Sequence, residues 1–288
     1  MTVLEAIQKS TEFLGKKGVE SPRLQTELLL AHVLAMPRMK LYLNFERSLA
    51  PGEVDALREF LRRRSQREPL QHITGSTSFC GHEISVNRNV LVPRPETELL
   101  AECGWQFLAA VPAPPATALD FGTGSGCIAI ALAAKCPTAA LTALDLSALA
   151  LGVARENAAR SGVAERIEFL QSDGFAELAP GPEGVRRQFD LFISNPPYIP
   201  SQEIPTLQPE VRDFDPTGAL DGGTDGLAFY RLIASQAGAH LKPGGKLMME
   251  FGDGQADAIR EILEREKWVV EAVKEDYSHR ARIVIARL

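Results

Sequence analysis

The sequence is poor in the residues that metal centres and disulfide frameworks need. Its 288 residues hold four cysteines (Cys80, Cys103, Cys127, Cys136) and five histidines. The cysteines form no CxxC pair and have no histidine cluster beside them, which argues against a zinc site and a disulfide scaffold; no metal is expected. Cys127 and Cys136 fall in or beside an apolar helix, where cysteine behaves as a small hydrophobe. No apolar run is long enough to span a bilayer, and the N-terminus lacks a secretory pattern. Basic charge is not in excess either. The 31 Lys and Arg against 37 Asp and Glu leave a net charge of −6, unlike a surface built to neutralise phosphates. The one clear basic run, Arg62-Arg63-Arg64 with Arg67, is expected to be a solvated helix face. What remains is a reduced, cytoplasmic, enzyme-sized chain.

Residues 1–70 read as short helices. One carries Leu4, Ile7, Phe13 and Leu14. A second opens at Ser21-Pro22, an N-cap followed by proline, and carries Leu24, Leu28, Leu29, Val33 and Leu34. A third starts near Pro51. Residues 71–92, with Gly75, Gly81 and alternating Glu83-Ile84-Ser85-Val86, read as a β-hairpin connector. Pro93 to Glu98 opens a helix that ends before Pro112, Pro114 and Pro115. From 93 to 288 lies the larger domain, in which strand and helix alternate from Ala116 onward. Strands are expected at 117–121, 140–145, 167–172, 189–194, 246–251, 268–274 and 281–287, and residues 177–188 as a surface loop. The fold class is α/β, a doubly wound, mostly parallel seven-stranded sheet closed by an antiparallel hairpin.

Three strand ends carry a nucleoside-site pattern. The first strand runs into Gly122-Thr123-Gly124-Ser125-Gly126 and then an apolar helix, so backbone amides can approach a ligand closely. The alternative is a plain tight turn. Asp145 ends the next strand, where a carboxylate can accept the hydroxyls of a ribose. Asp173-Gly174 ends the third, where a carboxylate and free amides suit an adenine edge. Loop and acid together fit any adenosine-containing cofactor and leave a nicotinamide dinucleotide open.

The fourth strand, Phe189–Ser194, ends in Asn195-Pro196-Pro197-Tyr198. Consecutive prolines fix two φ angles, donate no N–H and hold Asn195 extended. The result is a stiff row of acceptors: the Asn195 side-chain carbonyl and the backbone carbonyls of Asn195 and Pro196, with the Tyr198 ring beside them. Such a row suits a planar NH2 group. The ordinary alternative is a proline turn that merely closes a strand.

This order of motifs resembles the class I S-adenosylmethionine-dependent methyltransferases that modify amino groups. A closer resemblance is to the PrmC/HemK family. It is carried by Glu68-Pro69-Leu70-Gln71-His72-Ile73-Thr74-Gly75, by Val90 through Glu98, by Gly218 through Leu227 and by Leu241-Lys242-Pro243-Gly244-Gly245, and it spans nearly the whole chain. Departures are His72 in place of Tyr, Phe121 in place of Leu, Asp215 in place of Glu, and Gly174 where many members carry an aromatic, for which Phe175 is a partial substitute.

The resemblance implies methyl transfer from S-adenosyl-L-methionine to the side-chain amide nitrogen of the Gly-Gly-Gln glutamine in class 1 peptide chain release factors. It implies Asn195, Pro196 and Tyr198 as catalytic residues, with Pro197 completing the substrate corner. Gly122 to Gly126, Asp145, Asp173, Gly174 and Asn195 would hold the cofactor, and the helical domain would dock the substrate. A monomer without direct DNA contact is expected. Open rivals are an adenine amino-methyltransferase acting on nucleic acid, a dinucleotide-dependent oxidoreductase and a silent cofactor-binding module. Arg94-Pro95-Glu96-Thr97 is open between bordering the cofactor or substrate entry and being a helix start whose Arg pairs with a nearby carboxylate; Glu250 ends a strand at the same sheet edge, with a plain surface-end carboxylate as the alternative.

Overall fold

A computed structural model describes residues 1–112, 115–178 and 186–288. Pro114 and most of the expected 177–188 loop lie outside the described residues. Two compact units result: Met1–Ser76 with Gln208–Phe214, and Thr77–Leu207 with Asp215–Leu288.

The first unit packs α1 (Val3–Lys16), α2 (Pro22–Val33), α3 (Arg38–Leu41), α4 (Pro51–Ser65) and α5 (Leu70–Thr74). Thr2 starts α1 through a capping box: its side chain accepts from the Glu5 amide while Glu5 accepts from the Thr2 amide. Ser21 does not cap α2. Its backbone is left-handed (φ 47°) and its side chain makes no cap bond, so Pro22 alone defines that start. Leu14, Leu29, Leu30, Leu41 and Leu57 form the core, whereas Leu4, Phe13 and Leu24 of the expected stripes are exposed.

The basic run departs most from expectation. Arg62 is a solvated arginine paired with Glu59, and Arg63 forks onto Glu68. Arg64, however, is 3% exposed and donates to Gln25 and to Glu210, at 2.7 Å for the latter. Arg67 forks onto the same carboxylate at 2.7 and 2.6 Å. Glu210 sits in α9 (Pro209–Arg212), the short stretch that belongs to this unit. Burial raises the Glu210 pKa, but the bonds from Arg67 and Arg64 outweigh it and hold the carboxyl below its ordinary range.

The second unit opens with the hairpin β1 (Ser76–Phe79) and β2 (His82–Ser85). α6 (Pro95–Ala109) comes next, then β3 (Thr117–Phe121), α7 (Cys127–Lys135), β4 (Ala140–Asp145), α8 (Ala148–Arg160), β5 (Ile167–Gln171) and β6 (Phe189–Ser194). After these come α10 (Ala228–Gln236), β7 (Leu241–Glu250), α11 (Ala256–Arg265), β8 (Val269–Glu275) and β9 (Ala281–Arg287). The sheet order is β5-β4-β3-β6-β7-β9-β8. Its first five strands pair in parallel, and β9 pairs antiparallel with β7 and β8. The expected seven-stranded sheet and terminal hairpin are both present.

Period-2 alternation sorts side chains to the two faces. Ala118, Leu191 and Ile193 join the α6–α7 side, while Leu119, Phe121 and Phe192 join the α10–α11 side. Leu191, Phe192 and Ile193 are wholly buried, and burial of such side chains contributes about 1.5–3 kcal/mol each. β6 is thereby a rigid mount for the Asn195–Tyr198 turn at its carboxyl end. The hairpin is stapled to α8 by Asn157, whose side chain accepts from the Ser85 amide at 2.8 Å and donates to its carbonyl at 3.0 Å.

Removing Glu210 leaves a buried guanidinium unpaired, which costs about 3–5 kcal/mol. Glu210→Ala should therefore lower the protection of α4 amides in native-state hydrogen exchange by at least tenfold while leaving the β3 and β6 amides protected. Because the native carboxyl titrates below its unfolded value, this contribution is complete above the ordinary glutamate range and is lost as pH falls through the lowered native pKa.

Candidate active site

β3 and β6 are neighbours, yet the chain leaves β3 for β4 and β5 on one side and returns to β6 on the other. Parallel open sheets bind ligands at such a switch point, past the strands' carboxyl ends. The predicted positions after β3, β4, β5 and β6 all lie along that one edge.

The loop after β3 is tied down from two directions. The amides of Gly122 and Thr123 donate to the Leu144 carbonyl at 2.8 and 2.9 Å, and the Gly124 amide donates to Asp145 Oδ2 at 2.8 Å. Beneath it, the fully buried Asp120 accepts from the Thr123 hydroxyl at 2.6 Å and from the Ala129 amide at 3.1 Å, joining the loop's start to α7. Burial pushes the Asp120 carboxyl up to about 7, against the pull of those two bonds. Gly122 and Gly124 have left-handed backbones, and a Cβ on either would point into open space. Thr123, Ser125 and Gly126 are buried, so the loop's outer face is chiefly backbone.

Asp145 accepts from the Ser147 amide at 2.9 Å as well as from Gly124. Burial raises its pKa, although those backbone bonds oppose the shift. Each carboxylate oxygen keeps acceptor capacity beyond these bonds. Leu146, the next residue, is 64% exposed. The Ser172 amide donates to the Asp145 carbonyl at 3.0 Å, tying the third strand end to the second. Asp173 is exposed, and Gly174 has a left-handed φ of 56°. Phe175 does not serve as an exposed stacking surface. It is a core residue whose ring lies 5.0 Å from Phe121, 5.8 Å from Phe192 and 5.5 Å from His240.

The fourth strand end is the most heavily supported. Ser194 Oγ donates to the Phe121 carbonyl at 2.6 Å, clamping β6 to β3 one residue before Asn195. Asn195 Nδ2 donates to Thr97 Oγ1 at 3.2 Å, so its amide group is not a free rotor. Pro196 is buried, and Asn195, Pro197 and Tyr198 are half-buried. Burial raises the Tyr198 phenol pKa.

The Gly218–Leu227 stretch braces the backbone after the corner. Ile199 donates to the Leu220 carbonyl and accepts from the Gly222 amide, and Gln255 Nε2 donates to the Tyr198 carbonyl at 2.9 Å. Gly226 has φ 74°, and a Cβ there would stand 2.4 Å from the Tyr198 oxygen. Only glycine fits that approach. Arg94 pairs with the buried Asp215 at 2.6 Å, as one of its two readings expected, and Thr97 of the same stretch meets Asn195, so pairing and bordering the corner go together.

Sequence reasoning put Glu250 at the same sheet edge and left open a plain surface-end carboxylate. It is instead 3% exposed at the end of β7, and burial pushes its carboxyl up to about 7, opposed by hydrogen bonding to Thr97 and Asn195. Asp120 and Leu146 were missed. Thr97 lies within the Pro93–Glu98 stretch, and only that motif signalled it.

Gly226→Ala should displace the Tyr198 carbonyl and lower the Tm by several degrees, a shift read by calorimetry.

Comparison with known proteins bears on both units. Residues 5–75 match the PrmC N-terminal domain family, and residues 102–207 match the methyltransferase small domain family. The chain is 43% identical over 264 residues to a release factor glutamine methyltransferase of Geobacter sulfurreducens, covering 92% of this chain and 89% of that one. It is 42% identical to the protein of the same description from Cereibacter sphaeroides, covering 100% and 99%. Among solved structures, a methyltransferase from Pyrococcus furiosus superposes with a TM-score of 0.50 at 21% identity, covering 72% of this chain and 88% of that one, a likeness of fold. With such identity over its full length, the chain belongs to the release factor glutamine methyltransferase family.

Proposed function

We propose that this protein transfers a methyl group from S-adenosyl-L-methionine to the side-chain amide nitrogen of a glutamine, the Gly-Gly-Gln glutamine of class 1 release factors. The observation that carries this reading is the Asn195-Pro196-Pro197-Tyr198 corner, clamped at the sheet's switch point in a chain of this family.

The residues present fit the donor. Gly122 and Gly124 offer backbone with no side chain in the way, Asp145 is a carboxylate with acceptor capacity to spare for ribose hydroxyls, and the exposed Leu146 beside it is an apolar flank for a purine. Asp173 and Gly174 supply a carboxylate and an amide at the next strand end. When bound, the donor supplies a methyl group on a sulfonium sulfur.

An amide nitrogen is a weak nucleophile because its lone pair is delocalised into the carbonyl. Orientation is therefore the main contribution this chain can make. The Asn195 Oδ1 and the Pro196 carbonyl accept the two amide hydrogens and turn the nitrogen toward the donor site. Holding reactants near attack distance accounts for about 7–11 kcal/mol of barrier in favourable cases. As the methyl passes from sulfur to nitrogen, positive charge grows on the nitrogen and the same fixed acceptors stabilise it more than they did the ground state; one of the two N–H protons is then lost to solvent, leaving the N-methyl amide and a neutral thioether. Tyr198 packs on the amide plane and excludes water. The helical first unit supplies the docking surface for the protein substrate.

Incubation with radiolabelled donor, release factor and DNA tests the assignment. Label on the release-factor glutamine is expected; label on DNA alone would overturn it. Asn195→Ala should lower kcat by about 100-fold or more, a far larger effect than on donor Kd, to which Asn195 is a minor contributor beside the glycine loop and Asp145. Asp145→Ala should do the reverse, weakening donor binding by about 10- to 100-fold through loss of a charged hydrogen-bond acceptor. Calorimetric titration of donor and single-turnover kinetics separate the two effects.

A further inference from the structure

Resting on the proposed glutamine chemistry, we propose that Glu250 and Thr97 are positioning residues that fix which end of the Asn195 amide faces the substrate. Orientation matters because a side-chain amide is two-faced: its oxygen accepts, whereas its NH2 group only donates. A flipped Asn195 would present donors to a substrate NH2 group that has only donors of its own.

A threonine hydroxyl can donate or accept, but in this lock the Thr97 hydroxyl is hydrogen-bonded to the Glu250 carboxylate, which takes its proton and leaves Oγ1 an acceptor for Asn195. The Asn195 Nδ2 donates to Thr97 Oγ1 at 3.2 Å. Thr97 is 3% exposed on α6, and Glu250 is 3% exposed at the end of β7. In the β6–β7 register Ser194 stands opposite Met249, so Asn195 and Glu250 are the next residues of two adjacent parallel strands. The backbone of Glu250 is itself anchored, its carbonyl accepting from the Tyr230 hydroxyl at 2.8 Å. One carboxylate oxygen, Oε2, is buried without a hydrogen-bond partner. A buried carboxylate is costly unless hydrogen bonds compensate it, and those of Glu250 run to Thr97 and Asn195. Ionised, Glu250 only accepts, so it favours the orientation that turns Nδ2 inward and Oδ1 outward. Protonated, it donates and tolerates the opposite orientation.

The charged and titratable groups around Glu250 come from several elements. Glu96 on α6 raises its pKa and Arg282 on β9 lowers it, while Tyr198 after β6 and Tyr230 on α10 are coupled to it as phenols. Burial is the largest influence and brings the carboxyl to about 7, within the physiological range. Positioning by the ionised form is then present above that pH and fades below it.

The test measures kcat, and KM for the donor, between pH 5.5 and 9 with the release factor as acceptor. Wild type should lose kcat as pH falls through about 7. Glu250→Gln should be lowered about tenfold or more at pH 8.5, with no acid limb of its own and little change in donor KM. Thr97→Ser should keep most of the activity that Thr97→Val loses, which tests the lock without touching the buried charge. Wild-type kcat and pH profile in Glu250→Gln, or equal activity in the Ser and Val variants, would overturn the lock alone. A wild-type protein that methylates no glutamine would overturn the lock together with the reading on which it rests.

Discussion

The direction of one amide group is the constraint on which the proposed chemistry depends. In the proposed reaction Asn195 has to offer an oxygen where its side chain equally carries an NH2 group, and nothing in a proline-stiffened turn alone chooses between them. The surroundings do. Ser194 bonds β6 to the carbonyl of Phe121, Thr97 takes the Asn195 N–H, and Glu250 stands buried beside both. The prolines then keep the backbone carbonyls from drifting, because neither contributes an N–H or a free φ. A weak nucleophile makes this geometry matter more than acid–base strength.

The rest of the second unit maintains that edge. β6 is sealed by apolar residues on both faces, so its end cannot shift without opening the core. Asp145 accepts from the Gly124 amide, while Asp120 accepts from the Thr123 hydroxyl and from the Ala129 amide of α7, which keeps the glycine loop's open face shaped before any ligand arrives. Gly226 lets a second loop close on the Tyr198 carbonyl from behind. These contacts join β3, β4, β6 and the segment before α10 in one rigid frame.

Most of this was legible in sequence because it is local. The β6 run, the two prolines, the glycine turn and the acid after β4 are each contiguous patterns whose chemistry stems from residue type, and the strand–helix alternation set the sheet. The features that were not legible depended on distant partners. Glu250 reads as a strand-end carboxylate until Asn195 and Thr97, 55 and 153 positions earlier, are seen beside it. Arg64 reads as solvated until Glu210 meets it. Phe175 looked available to a purine because sequence does not show that Phe121, Phe192 and His240 enclose it. Ser21 has the composition of a cap but a left-handed backbone that turns its hydroxyl away from the role.

The most direct measurement is a crystal structure of the protein with S-adenosylhomocysteine and a Gly-Gly-Gln peptide. The expected result is the glutamine amide nitrogen at about 2.9 Å from both Asn195 Oδ1 and the Pro196 carbonyl, facing the sulfur. An amide bound elsewhere, or held with its oxygen rather than its nitrogen toward that corner, would contradict it.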